Sequence, residues 1–285
     1  MGLQVIENDW GRVAPRSIVM FSAHGSPANF AEIAEELDCL SADLSCPLVI
    51  GNQNKVLAGR RRGAHIVVVG KPGHPEERSY FDRGTPEHTS TVYRPEDVDK
   101  LVIEDGRPIR VVTQTTLAVR RMGSLFTNLA EKYPGRIQLP MRMTADGVVR
   151  GDICGATDYR QQAVVGLLEQ DIDAAVVIGS EGSHNSHELA LIAEEAQKPV
   201  VLVDRVAKLQ AQWFEGMSRI GITAGASAGR EDVPEFVEYF RKQNPDLHVW
   251  ETAKVDPNEK DYFPWTGRAE FYAQLDPFLA RHYPV

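Results

Sequence analysis

The strongest constraint on this chain is a repeating order of short β-branched apolar run, polar glycine-bearing loop and helix-period segment. Ser17–Phe21 leads into Ser22-Ala23-His24-Gly25, and Ile66–Gly70 into Lys71-Pro72-Gly73-His74-Pro75-Glu76. Further on, Arg110–Thr113 leads into Gln114-Thr115-Thr116, Ala174–Gly179 into Ser180–Ser186, and Ile220–Thr223 into Ala224-Gly225-Ala226-Ser227. Helical spacing follows these loops. After the first, Phe30, Ile33, Ala34 and Leu37 recur at i, i+3, i+4 and i+7, which predicts a helix capped by Ser26 with Pro27 at its first position. After the last come Val233, Phe236, Val237 and Phe240. Strands that alternate with helices require crossover connections, so the predicted class is α/β with mostly parallel sheets.

In such sheets ligands bind beyond the carboxyl ends of the strands, which directs attention to the polar loops. Those loops carry His, Glu, Thr, Ser and Asn, where a purely structural connection needs only turn formers. We expect the loops bearing His24, His74, Thr115, Ser183, Asn185 and Ser227 to surround one cavity. Each residue also has an ordinary reading: a buried histidine satisfied by its neighbours, or a hydroxyl that caps a helix.

Composition narrows the partners. The chain has 285 residues, of which 42% are hydrophobic and 25% charged. Its apolar runs, such as Ala174–Ile178, are too short to span a bilayer, so no membrane association is expected. Met1–Arg16 contains Glu7 and Asp9 and has no long apolar core, so it does not read as a secretory signal, and a cytoplasmic location is expected. The net charge is −9, and the basic run Arg60-Arg61-Arg62 falls at a predicted helix C-terminus, so nucleic acid is not an expected partner. The 3 cysteines are widely spaced, fitting neither a disulfide framework nor a zinc knuckle, and remain free thiols or metal ligands. The phosphate loop GxxxxGK[ST] is absent, and the glycines of Gly221–Gly229 do not follow GxGxxG spacing.

Read in order, the segments FSAHG, DLSCPLV, GHPE, TQTTLAV, DICGATDYRQ, GSEGSHNS and GITAGASA resemble the hydroxymethylbutenyl diphosphate reductase family, also called LytB-like proteins. The resemblance runs from about Ile18 to Pro245. It implies a cloverleaf of three α/β modules around a [4Fe–4S] cluster, with the first module cut short. The implied boundaries are a remnant of the first module at 1–46, a second module at 47–151, a third at 152–245, and a C-terminal arm at 246–285. That arm is expected to be extended, with one short helix near Ala269–Leu275.

The resemblance also implies roles. Cys46 and Cys154 match cluster cysteines, and thiolates suit iron because they are soft, strongly donating ligands. Cys39 matches no family ligand and is read as a core thiol. Glu76 matches the proton-delivering glutamate and Thr115 the threonine that hydrogen-bonds the substrate hydroxyl, while Glu77 is read as an ordinary solvated glutamate. His24, His74, Ser183, Asn185 and Ser227 match groups that hold the diphosphate. At two positions the chain departs from the family pattern. His184 stands where serine is usual and adds a cationic side chain to the diphosphate pocket; Gly155 stands where tyrosine is usual and opens space beside Cys154.

The implied activity is reduction of 4-hydroxy-3-methylbut-2-enyl diphosphate to isopentenyl and dimethylallyl diphosphate, in isoprenoid biosynthesis. An electron donor such as ferredoxin or flavodoxin would be needed. The family's first cluster cysteine, in Gly-Phe-Cys-x-Gly, and its His-Asn segment have no counterpart here, so a small second subunit carrying them is expected. Alternative readings are a non-catalytic diphosphate-binding paralogue and an enzyme with altered chemistry on a similar ligand.

Overall fold

In a computed structural model of the chain, the described residues are 4–6, 9–140, 142–143, 149–150, 152–226, 228–229, 231–249 and 277. The chain divides into two compact units: residues 1–114, 128–140 and 261–285 in the first, and 115–127 and 141–260 in the second.

In the first unit, β1 (Ile18–Phe21), α1 (Phe30–Glu36) and β2 (Leu40–Asp43) form a two-stranded parallel sheet with one helix. Then come α2 (Pro47–Arg61), β3 (His65–Val69), α3 (Pro75–Phe81), β4 (Thr89–Val92), α4 (Pro95–Lys100) and β5 (Ile109–Thr113). After α5 (Val119–Lys132), the short β6 (Ile137–Gln138) completes a four-stranded parallel sheet in the order β4-β3-β5-β6. Every residue of β3 is buried, as expected of a central strand covered on both faces. Its core is Val49, Val56, Ile66, Val68, Tyr80 and Val112.

The second unit contains the antiparallel pair β7 (Arg142–Met143) and β8 (Val149–Arg150). It continues with α6 (Gly155–Leu168), β9 (Ala174–Ile178), α7 (His184–Glu195), β10 (Val200–Val203), β11 (Ile220–Ala224) and α8 (Asp232–Gln243). Its parallel sheet has the order β10-β9-β11, with β9 buried throughout. Phe236, 1% exposed, anchors α8 against Val176, Ile178 and Val203.

The α/β class with parallel sheets is therefore observed. The first helix departs from its expected start: α1 begins at Phe30 behind Asn29, not at Ser26. Pro27 to Phe30 form a turn, with the Phe30 amide donating to the Pro27 carbonyl, and Arg83, in the turn after α3, donates to the Ser26 carbonyl. The segment Ala269–Leu275, assigned a short helix by its sequence, lies outside the described residues.

Candidate active site

In the first unit, two helices start where strands end, and the candidate side chains sit at those starts. Cys46 is the N-cap of α2, with Pro47 next, and its amide donates to the Ala23 carbonyl at 2.9 Å. That bond ties the cysteine to the loop carrying His24. Gly25 follows with φ +82°, and a Cβ there would lie 2.8 Å from Gln53 Nε2 and 2.9 Å from Ser79 Oγ. Both the backbone angle and the close approach demand glycine.

His74 caps α3: its Nδ1 accepts from the Glu76 amide at 3.2 Å, which leaves Nε2 to carry the proton of a neutral ring. The rings of His24 and His74 meet edge to face with centroids 5.5 Å apart. Burial lowers the pKa of His24 below its ordinary 6.5, although part of its side chain reaches solvent. At neutral pH His24 is therefore a neutral donor or acceptor and not a standing cation.

Glu76 is 0% exposed, and its Oε1 accepts from the Tyr80 hydroxyl at 2.5 Å. Glu77, expected to be solvated, is instead buried at 5% exposure. Its carboxyl reaches back to accept from the Gly73 amide at 3.0 Å and also accepts from Thr91 Oγ1 on β4, so it locks the loop before α3. Gln114, 0% exposed, fixes that loop from the other side by accepting from the Lys71 amide at 3.0 Å.

In the second unit, Thr115 is 5% exposed and its carbonyl accepts from the Cys154 amide at 2.9 Å. Cys154 is the N-cap of α6 and Gly155 its first residue. Ser183 is the N-cap of α7: its Oγ accepts from the Ser186 amide at 3.3 Å and from the Ser186 hydroxyl at 3.0 Å. The helix start sits close on the sheet, since a Cβ on Gly179 or Gly225 would lie 2.1 or 2.2 Å from Ser186 Oγ.

Asn185, 5% exposed, has neither amide atom hydrogen-bonded, and its Nδ2 lies near Gly225 at the end of β11. A buried amide without a partner costs free energy. His184 is also buried, with Nε2 3.8 Å from Glu188 Oε1 one turn along α7. Ser227 lies outside the described residues.

The thiols test the fit of an iron–sulfur cluster. Cys46 and Cys154 are half-buried at helix N-termini. Cys39 packs with the cluster of Val19, Phe21 and Ala34, and its thiol lies 3.7 Å from the Ala14 and Leu37 carbonyls, as a core residue does. No group of at least 3 His, Cys, Asp or Glu suited to a metal occurs among the described residues. The donor set here is thus two thiolates, which does not by itself fit a cubane cluster.

Several residues of this region escaped the reading of the sequence, namely Asn52, Tyr80, Glu77 and Glu188. For the first two a signal existed. The buried stripe of α2 reads Val49, Asn52, Gln53, Val56, placing two amides where apolar residues belong, and Tyr80 follows Glu76 by one turn.

Fold and site together define an α/β protein of parallel sheets, with histidines, a buried carboxyl, helix-cap hydroxyls and cysteines at the ends of its strands. The LytB protein family model matches residues 1–241, and the chain belongs to that family. It is 32% identical to the 4-hydroxy-3-methylbut-2-enyl diphosphate reductase of Neorickettsia sennetsu over 248 residues, covering 87% of this chain and 77% of that protein. The enzyme of the same name from Vibrio parahaemolyticus is 35% identical over 235 residues, covering 81% and 71%. The structure of the E-1-hydroxy-2-methyl-but-2-enyl-4-diphosphate reductase from Plasmodium falciparum superposes with a TM-score of 0.81 at 25% identity, covering 94% of this chain and 80% of that one.

Proposed function

We propose that this chain is an allylic diphosphate reductase acting on 4-hydroxy-3-methylbut-2-enyl diphosphate. In that reaction the allylic carbon–oxygen bond breaks, the oxygen leaves as water, and an electron pair with a proton enters the carbon skeleton. The observation that carries the reading is the buried, unpartnered amide of Asn185 at the start of α7, in a chain whose relatives bear this activity. An anion bound there would receive the Asn185 Nδ2 protons and the open N–H groups of the helix end.

The division of labour follows from the chemistry of each group. His24, His74, Ser183, His184, Asn185 and Ser227 hold the diphosphate. Thr115 orients the substrate hydroxyl, and Glu76 delivers the proton that turns it into water, a task suited to a fully buried carboxyl. Cys46 and Cys154 would hold two irons of a [4Fe–4S] cluster, which would supply electrons drawn from a donor such as ferredoxin or flavodoxin. A third thiolate comes from outside these 285 residues, and a small second subunit is one source of it.

The confinement of Cys39 to the core also favours a second reading, a paralogue that binds the diphosphate without turnover. Anaerobic purification, with iron and sulfide assayed before and after adding candidate proteins that carry a third cysteine, separates the two. Reductase activity that appears together with cluster content supports the enzyme. Diphosphate binding with no cluster under any combination supports the paralogue.

A further inference from the structure

Asn52 lies inside α2 and is 1% exposed, a position where an amide is kept only if its hydrogen bonds are met. They are met in one orientation. Nδ2 donates to the Thr113 carbonyl at 3.0 Å, and Oδ1 accepts from Lys55 Nζ at 3.0 Å. A carbonyl only accepts and an ammonium only donates, so these partners fix the amide without ambiguity.

The second Nδ2 proton points to the Tyr80 hydroxyl at 3.4 Å. Tyr80 is 0% exposed and has a single proton of its own to give. With Asn52 acting as donor, that proton goes to Glu76 Oε1, 2.5 Å away. The backbone of Glu76 is held as well: its amide donates to His74 Nδ1 and its carbonyl accepts from Ser79 Oγ at 2.8 Å.

We propose that Tyr80 and Asn52 are positioning residues for Glu76, anchoring Oε1 as a permanent acceptor so that the exchangeable proton resides on Oε2. The proposal rests on the reading of Glu76 as the proton-delivering residue. It adds that a defined oxygen performs the transfer, and that the hydroxyl bond stabilises the carboxylate left behind once the proton is given up. A tyrosine placed only to fill the core would meet its hydroxyl's needs at any acceptor and leave the ionisation of Glu76 unchanged.

The elements packed against α3 are α2, β3 and β4. Their titratable or charged groups are Lys55 on the buried side of α2, the arginines at its far end, and His65 at the opposite end of β3, while β4 has none. On and beside α3 itself are Glu77, Arg78, Tyr80, His74 and, against His74, His24. Apart from Tyr80 itself, none of these side chains is altered when the Tyr80 hydroxyl alone is removed.

The test follows the carboxyl resonances of the full chain labelled with 13C-glutamate through a pH titration, Glu76 being identified by its loss in Glu76→Gln. Tyr80→Phe removes the donor and leaves one Asn52 Nδ2 proton unmet, so a second variant, Tyr80→Phe with Asn52→Leu, removes that proton as well. The Glu76 midpoint is expected to rise by about one pH unit in both variants, since a donor to the charged form has been lost. An unmoved midpoint in Tyr80→Phe, or one that returns to the wild-type value in the double variant, overturns the proposal. Continued allylic diphosphate reduction by Glu76→Gln would instead overturn the reading of Glu76 as proton donor, whatever the Tyr80 variants show.

Discussion

Two histidines illustrate how one residue type is pushed the same way for different ends. His65 is 4% exposed, its Nε2 is paired with Ser90 Oγ at 2.9 Å, and its pKa is lowered to about 4. Burial is the main cause, with charge from His88, Arg107 and Arg136 adding to it. A folded-state value below the unfolded 6.5 means the unfolded chain binds the proton first. Stability from this group is therefore complete above pH 6.5 and declines as pH falls toward 4. Between neutral pH and about pH 5 the loss should be on the order of 1 kcal/mol, and His65→Gln should flatten it in denaturant titrations. His24 is lowered by burial as well, and under the proposed function it holds the diphosphate. A bound diphosphate would favour its protonated form, so affinity should rise as pH falls below about 6.5, with a shallower slope in His24→Asn measured by calorimetry. An identical slope would remove His24 from the diphosphate site. His24 and Glu76 were legible because they stand in short ordered motifs. Asn52 and Tyr80 left only a faint signal, an amide in an apolar stripe and a tyrosine one turn after Glu76, and their roles lie in contacts that join different helices.

At the level of elements, the start of α7 depends on two glycines far apart in sequence. Gly179 ends the run out of β9 and Gly225 the run out of β11, and Ser186 of α7 sits against both. A methyl group on Gly179 would lie 2.6 Å from Ser186 Cβ, so the helix end must move. Gly179→Ala should cost about 1–3 kcal/mol in thermal or denaturant unfolding and should weaken diphosphate binding as Asn185 shifts. Retained stability with full affinity would show that the helix start is not fixed by this contact. The strand and helix order was legible from apolar periodicity, which reports burial. The start of α1 was not, since Arg83 from the turn after α3 engages the Ser26 carbonyl and no local pattern encodes a distant arginine.

At the scale of the whole molecule, parallel sheets covered by helices place the ends of strands at the start of helices, and the candidate residues collect there in each unit. His24, Cys46, His74 and Glu76 belong to one unit; Thr115, Cys154, His184 and Asn185 belong to the other. On the proposed function, a substitution in either set should impair binding of the diphosphate. The most direct measurement is calorimetric titration of 4-hydroxy-3-methylbut-2-enyl diphosphate into the wild-type chain, Asn185→Ala and His74→Asn. The account predicts saturable binding by the wild type, weakened about tenfold or more in each variant by loss of a hydrogen bond to a charged group. Absence of wild-type binding, or affinity unchanged in both variants, would contradict it.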